Sequence, residues 1–214
     1  MDFKEDKALY CRQAFMSEHL NYFTGVEKKK QNRLCAARNR FFHPLLVTLD
    51  KLGVTPDIIS FLSLLCMVGF VYFVPTNMLV ALIFIIPHIV LDGIDGCLAR
   101  YQGSASNAGA LTDIFVDQIG LVVAILALIY YGMIDPFWSA WYMAMYMIMI
   151  MFLVLLNRLG SPIRFAFRSK YFFYLVLLID LYVVRDIVPP FLALFAIYMT
   201  IHNIYFFMRM RKVV

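Results

Sequence analysis

Along most of this chain apolar residues do not alternate with polar ones but run together, and the polar residues collect in the gaps. Six such runs are long enough, or nearly so, for the roughly 20 helical residues that cross a ~30 Å hydrocarbon core. They lie near 56–75, 77–99, 110–132, 136–157, 170–186 and 189–208. The gaps hold turn or helix-start residues: Pro75-Thr76-Asn77, Gly132 to Pro136 and Pro189-Pro190. The fifth run is the shortest and contains Asp180. The pattern predicts an all-α polytopic membrane protein with six transmembrane helices over residues 55–214. Residues 1–54 read differently, as a cytoplasmic juxtamembrane segment. There the stretch 7–23 scatters apolar residues among polar ones, and 32–52 mixes Arg33, Arg38 and Arg40 with Phe41, Phe42, Leu45 and Leu46. Both suit amphipathic helices on an anionic leaflet, where each basic residue near the surface contributes roughly 1 kcal/mol.

Composition supports the membrane reading: of 214 residues 63% are hydrophobic and only 15% charged. The start of the chain has no apolar core of signal-peptide length, so the basic arm is expected in the mature protein. All but one of the 19 lysines and arginines fall in the arm, after span two, after span four or in the tail, which predicts both termini in the cytoplasm. Arg185 is the exception. In a bacterium the membrane would be the cytoplasmic one. Cys11, Cys35, Cys66 and Cys97 lie far apart with no metal-like spacing, and free thiols are expected. Nothing in the basic arm calls for nucleic acid.

One stretch breaks the apolar rule. Residues 91–117, "LDGIDGCLARYQGSASNAGALTDIFVD", place four aspartates and an arginine at the ends of two spans. At bilayer depth each unpaired Asp costs about 2.5 to 3.5 kcal/mol, so these carboxylates need partners. Asp92 and Asp95 are three residues apart in span two, and Asp113 and Asp117 are four apart in span three, so each pair shares a helix face. The short connection makes the spans antiparallel neighbours. One arginine cannot neutralise four carboxylates but two divalent cations can, and an oxygen-only set points to Mg²⁺, Mn²⁺ or Ca²⁺ rather than zinc. Two metals on carboxylates suit phosphoryl transfer. Five of the ten glycines (Gly93, Gly96, Gly103, Gly109 and Gly120) crowd the same region, where a bulky group can approach the backbone.

Asp92, Asp95, Gly96, Ala99, Arg100, Gly109, Asp113 and Asp117 together meet the pattern D-x2-D-G-x2-A-R-x8-G-x3-D-x3-D. In this the chain resembles the CDP-alcohol phosphotransferases, integral membrane phospholipid synthases. The resemblance implies two Mg²⁺ or Mn²⁺ ions on Asp92, Asp95, Asp113 and Asp117, with Asp117 also taking the proton of the acceptor hydroxyl. It implies that Gly96, Ala99, Arg100, Ser106 and Gly109 line the site of the CDP-linked lipid, with Thr55 and Asp57 from the preceding "GVTPDIIS". Relatives often have Asn where Asp57 stands. The implied reaction moves the phosphatidyl group of CDP-diacylglycerol to a small polar alcohol and releases CMP, in an enzyme surrounded by membrane lipids and expected as a homodimer.

Arg158, Arg164, Arg168 and Lys170 follow span four. They either mark the cytoplasmic side or receive a phosphate on the acceptor, since Arg164 and Arg168 share a helix face. The second reading, with Arg164, Arg168 and Lys170 as acceptor ligands, favours a phosphorylated alcohol such as glycerol 3-phosphate or inositol phosphate. Gln118 stands where relatives that use glycerol 3-phosphate often carry a basic residue. Asp180 is expected to pair with Arg185 or a tyrosine, and His88, one turn from Asp92, to support the aspartates from behind. The rival reading is a cation transporter with intramembrane carboxylates, which gives no reason for Gly96, Ala99, Arg100 and Gly109 at these offsets.

Overall fold

The computed structural model describes residue 38 and residues 41–161, 163, 167, 169–183 and 185–213. Among them are seven helices and no strand. The first, α1, covers residues 41–51. The others are α2 (Pro56–Phe73), α3 (Met78–Tyr101), α4 (Asn107–Tyr130), α5 (Pro136–Arg158), α6 (Lys170–Tyr182) and α7 (Val188–Met210). Local chemistry sets their starts. Thr55, Asn77, Ser106 and Asp135 each lie in extended backbone and accept a hydrogen bond from an N–H of the first turn, with Pro56 and Pro136 at the opening helical positions. Gly53, Gly103, Gly132 and Gly160 take positive φ in the turns that follow helices, where a side chain would be strained.

Five helices, α2 to α5 and α7, are long and apolar enough to cross a membrane. Leu65, Val68, Ile83, Ile86, Ile197 and Ile201 are exposed on their outer faces, as suits residues that meet lipid. The fifth expected span is shorter than the sequence suggests. With 13 residues, α6 ends at Tyr182 and at 1.5 Å per residue reaches only ~20 Å. Asp180 explains the early end. Its carboxylate accepts from the backbone N–H groups of Ile187 at 2.8 Å and Val188 at 3.2 Å, folding the chain back to cap α7. It serves this turn rather than the expected Arg185 or a tyrosine.

The first three long helices form one group. Contact is most extensive between α2 and α3, while α4 leans more on α2 than on α3. The expected α3 and α4 pair is therefore bridged by a third helix. The second extensive pairing is α5 with α7, and α6 touches both α7 and α3. Most of the buried apolar residues form one continuous core from Met67 and Phe70 through Leu121, Tyr142 and Leu153 to Met199. A smaller cluster docks the juxtamembrane helix. Leu46 of α1 is completely buried among Ile59, Ile94, Cys97 and Leu98, with Phe42 and Leu49 beside it. The stretch 7–23 lies outside the described residues. Cys66 and Cys97 are free thiols, as expected.

Candidate active site

The aspartates lie toward the C-terminal end of α3 and in the early turns of α4, a short loop apart. Asp95 is the deepest, at 3% exposure. Its Oδ2 accepts from Ser60 Oγ of α2 at 2.5 Å, and its Oδ1 from the backbone N–H of Gly96. The charges of Asp113 and Asp92 both act on Asp95, so the pairs from the two helices face one another. Such a group of like charges needs a cation, and the structure supplies one. Lys170, the first residue of α6, is 1% exposed and forms an ion pair with Asp117. Its ammonium also lies within the fields of Asp92, Asp113 and Asp95. The next residue, Tyr171, donates its hydroxyl to Asp92 Oδ2 at 3.2 Å. The first turn of α6 therefore joins both aspartate pairs.

The main core holds that turn in place. Buried Tyr142 of α5 shares a 2.8 Å hydrogen bond with the Ser169 hydroxyl, and its ring packs on Phe173 at 5.7 Å between centroids. Ser169 then accepts the first helical bond of α6, from Phe173 N–H. His88 makes no hydrogen bond to an aspartate among the described residues. Its Nδ1 is hydrogen-bonded at 3.1 Å to the Ser63 carbonyl, and its ring lies against Gly120 of α4. Among the described residues no three Asp, Glu, His or Cys side chains stand close enough to hold a metal between them. The donor chemistry nevertheless fits a hard cation. Four carboxylates share the field of one ammonium, and none of the groups on Asp95 or Asp117 is a soft ligand.

About two turns beyond Asp92 on α3, Arg100 is half-buried, with Nη1 3.4 Å from where a Cβ on Gly96 would stand. Its Nη2 is 3.6 Å from Cys97 Sγ, and its Nε is buried without a hydrogen-bond partner among the described residues. Other residues of the expected nucleotide site have structural duties. Ser106 Oγ caps α4 through Gly109 N–H at 3.0 Å, and Thr55 caps α2. The Ala99 carbonyl closes the end of α3 by accepting from Ser104 N–H, and Asp57 is exposed in the first turn of α2, where a negative charge suits the helix dipole. Of the expected acceptor ligands, Arg164 and Arg168 lie outside the described residues, and Lys170 sits on Asp117.

The family model for CDP-alcohol phosphatidyltransferase matches residues 53–207, nearly all of the long helices and both aspartate pairs. The chain belongs to this family. No curated protein matches the chain. A CDP-alcohol phosphatidyltransferase moves a phosphatidyl group from a CDP-alcohol to an acceptor, so the chain is a transferase of phospholipid biosynthesis working in a membrane. The family generally depends on divalent metal. Membership sets aside the transporter reading. Sequence reasoning did not single out Ser60 or Tyr171. Ser60 carried one faint signal, as one of two serines in a mostly apolar helix and the last residue of "GVTPDIIS". Tyr171 carried none beyond adjoining Lys170.

Proposed function

We propose that the chain transfers the phosphatidyl group of CDP-diacylglycerol to the hydroxyl of a small polar alcohol and releases CMP. What carries this reading is the meeting of both signature aspartate pairs around one buried cation, beside the glycine face that bears Arg100. Asp92, Asp95, Asp113 and Asp117 would hold two divalent ions. When bound, these supply charge neutralisation at the phosphate oxygens and acidify the acceptor hydroxyl. Asp117 takes the hydroxyl proton. The acceptor oxygen forms a bond to the lipid-side phosphorus, and the bond from that phosphorus to the CMP oxygen breaks.

The chain's own groups position these partners. Gly96 leaves room for the nucleotide against α3, and the guanidinium of Arg100 takes phosphate charge. Ser60 and Tyr171 hold Asp95 and Asp92 in orientation by their hydroxyl groups. On the acceptor side Arg164 and Arg168, close to Lys170 in sequence, favour an alcohol that itself carries a phosphate. The concentration of basic residues in the arm, after α5 and in the tail favours a site on the cytoplasmic side. The test is product mass after incubation of the purified protein with CDP-diacylglycerol, Mn²⁺ and a mixture of glycerol 3-phosphate, inositol phosphate, inositol, glycerol and serine. A product from a phosphorylated acceptor is expected. A product formed only from an uncharged alcohol would remove the acceptor role of the basic residues.

A further inference from the structure

Arg38 lies before the first helix of the family match, and the signature does not assign it. It nevertheless reaches α3 at the glycine face. Its Nε donates to Cys97 Sγ at 3.1 Å, and its Nη1 is 3.4 Å from where a Cβ on Gly93 would stand. Arg100 makes the matching arrangement one turn along, with Nη1 3.4 Å from the Cβ position of Gly96 and Nη2 against the same sulfur. Guanidinium groups from the juxtamembrane arm and from α3 thus reach the same thiol. Each lies over a glycine, and the glycines are ~4.5 Å apart along the helix axis. Arg38 is held there by the packing of α1. Phe42, Leu46 and Leu49 follow it at helical spacing and lean on Ile59, Ile94 and Leu98.

Both groups are positively charged forks of N–H donors, set side by side at the glycine face of α3. An anion with two adjacent charged groups suits such a pair, because each guanidinium fork can take one of them. We propose that Arg38 is a second phosphate ligand: Arg38 and Arg100 together receive the diphosphate of the CDP-linked lipid, and the juxtamembrane helix forms one wall of the nucleotide site. This rests on the nucleotide reading given above. It separates a diphosphate from a monophosphate, since CMP offers only one group to the pair. The product would therefore be held less tightly than the substrate.

The experiment is calorimetric titration of the full chain in detergent, in saturating Mn²⁺, with CDP and with CMP. Arg38→Ala is expected to weaken CDP binding about tenfold or more, the loss typical of one charge-assisted hydrogen-bonded contact, and to change CMP binding much less. Gly93→Ala, which sets a methyl against the Arg38 guanidinium, is expected to act in the same direction more mildly. It serves if Arg38→Ala does not fold. Arg100→Ala is expected to weaken both ligands. If CDP and CMP affinities keep their wild-type ratio in both the Arg38 and Gly93 variants while Arg100→Ala weakens CDP, the role of Arg38 is overturned and the nucleotide reading survives. Wild-type protein that binds neither nucleotide would overturn both.

Discussion

Replacing Ser60 with alanine perturbs the site at its least obvious point. Ser60 is 3% exposed and its hydroxyl has one proton to give. The Asp95 oxygen stands at 2.5 Å and the Pro56 carbonyl at 3.3 Å, so the carboxylate receives it. A hydrogen bond to a charged group contributes about 1.5 to 3 kcal/mol. Alanine returns roughly 0.5 kcal/mol through better helix propensity in α2. The net loss of about 1 to 2.5 kcal/mol falls on the orientation of Asp95, and loss of such a supporting partner lowers metal affinity about 10 to 100-fold. The assay is the rise in melting temperature of the detergent-purified protein with Mn²⁺ concentration, which reports binding to the folded state. Ser60→Ala is expected to need 10 to 100 times more Mn²⁺ for the same rise. Ser63→Ala is the control: its hydroxyl, one turn away and fully buried, is bonded to the Ser60 carbonyl at 2.7 Å and touches no carboxylate. Identical Mn²⁺ curves for wild type and Ser60→Ala would refute the reasoning.

Lys170→Met removes the buried cation from Asp117. Breaking a buried pair costs about 3 kcal/mol or more, less where water reaches the carboxylate, and the Asp117 side chain is 22% exposed. The metal-free variant is expected to melt several degrees below wild type and to gain more from Mn²⁺, because the ammonium and the metal answer the same carboxylates. Equal Mn²⁺ gains in the two proteins would contradict this. Gly120→Ala would place a Cβ 2.9 Å from His88 Cε1, in a ring that is wholly buried and tied to Ser63. Overpacking of about 1 to 3 kcal/mol outweighs the ~1 kcal/mol that alanine adds to helix propensity. A lower melting temperature is expected, with recovery when His88→Ala is added, and an unchanged or higher value would show that the helices part freely.

Much of the fold could be read along the chain because its punctuation is local. Thr55-Pro56, Asn77 and Asp135-Pro136 announce helix starts within a few residues of where they occur. The α6 helix was misjudged because its end depends on a bond seven residues long in sequence, from Ile187 N–H back to Asp180. Apolar composition through residue 184 gave no sign of it. The same division runs through the site. Spacing alone puts Asp92 with Asp95 and Asp113 with Asp117, since a helix face is a local property. What each carboxylate touches is not local: Ser60 lies 35 residues from Asp95, and Lys170 lies 53 from Asp117. A serine in an apolar helix and a lysine in a basic cluster look ordinary until the helices are packed. Lys170 shows this most plainly, because its sequence neighbours suggest an acceptor phosphate while its structural neighbours are aspartates.

The central claim is that the two aspartate pairs perform phosphatidyl transfer with Asp117 as the base. It is tested most directly by CMP release from CDP-diacylglycerol, measured with the acceptor mixture in Mn²⁺, in EDTA, and with Asp117→Asn in Mn²⁺. Asparagine keeps the size of the side chain and removes its capacity to take a proton. The expected result is CMP release by wild type in Mn²⁺ and a loss of about 100-fold or more in the other two cases, as befits removal of a general base. CMP release that persists in EDTA, or that Asp117→Asn leaves at the wild-type rate, would contradict the account.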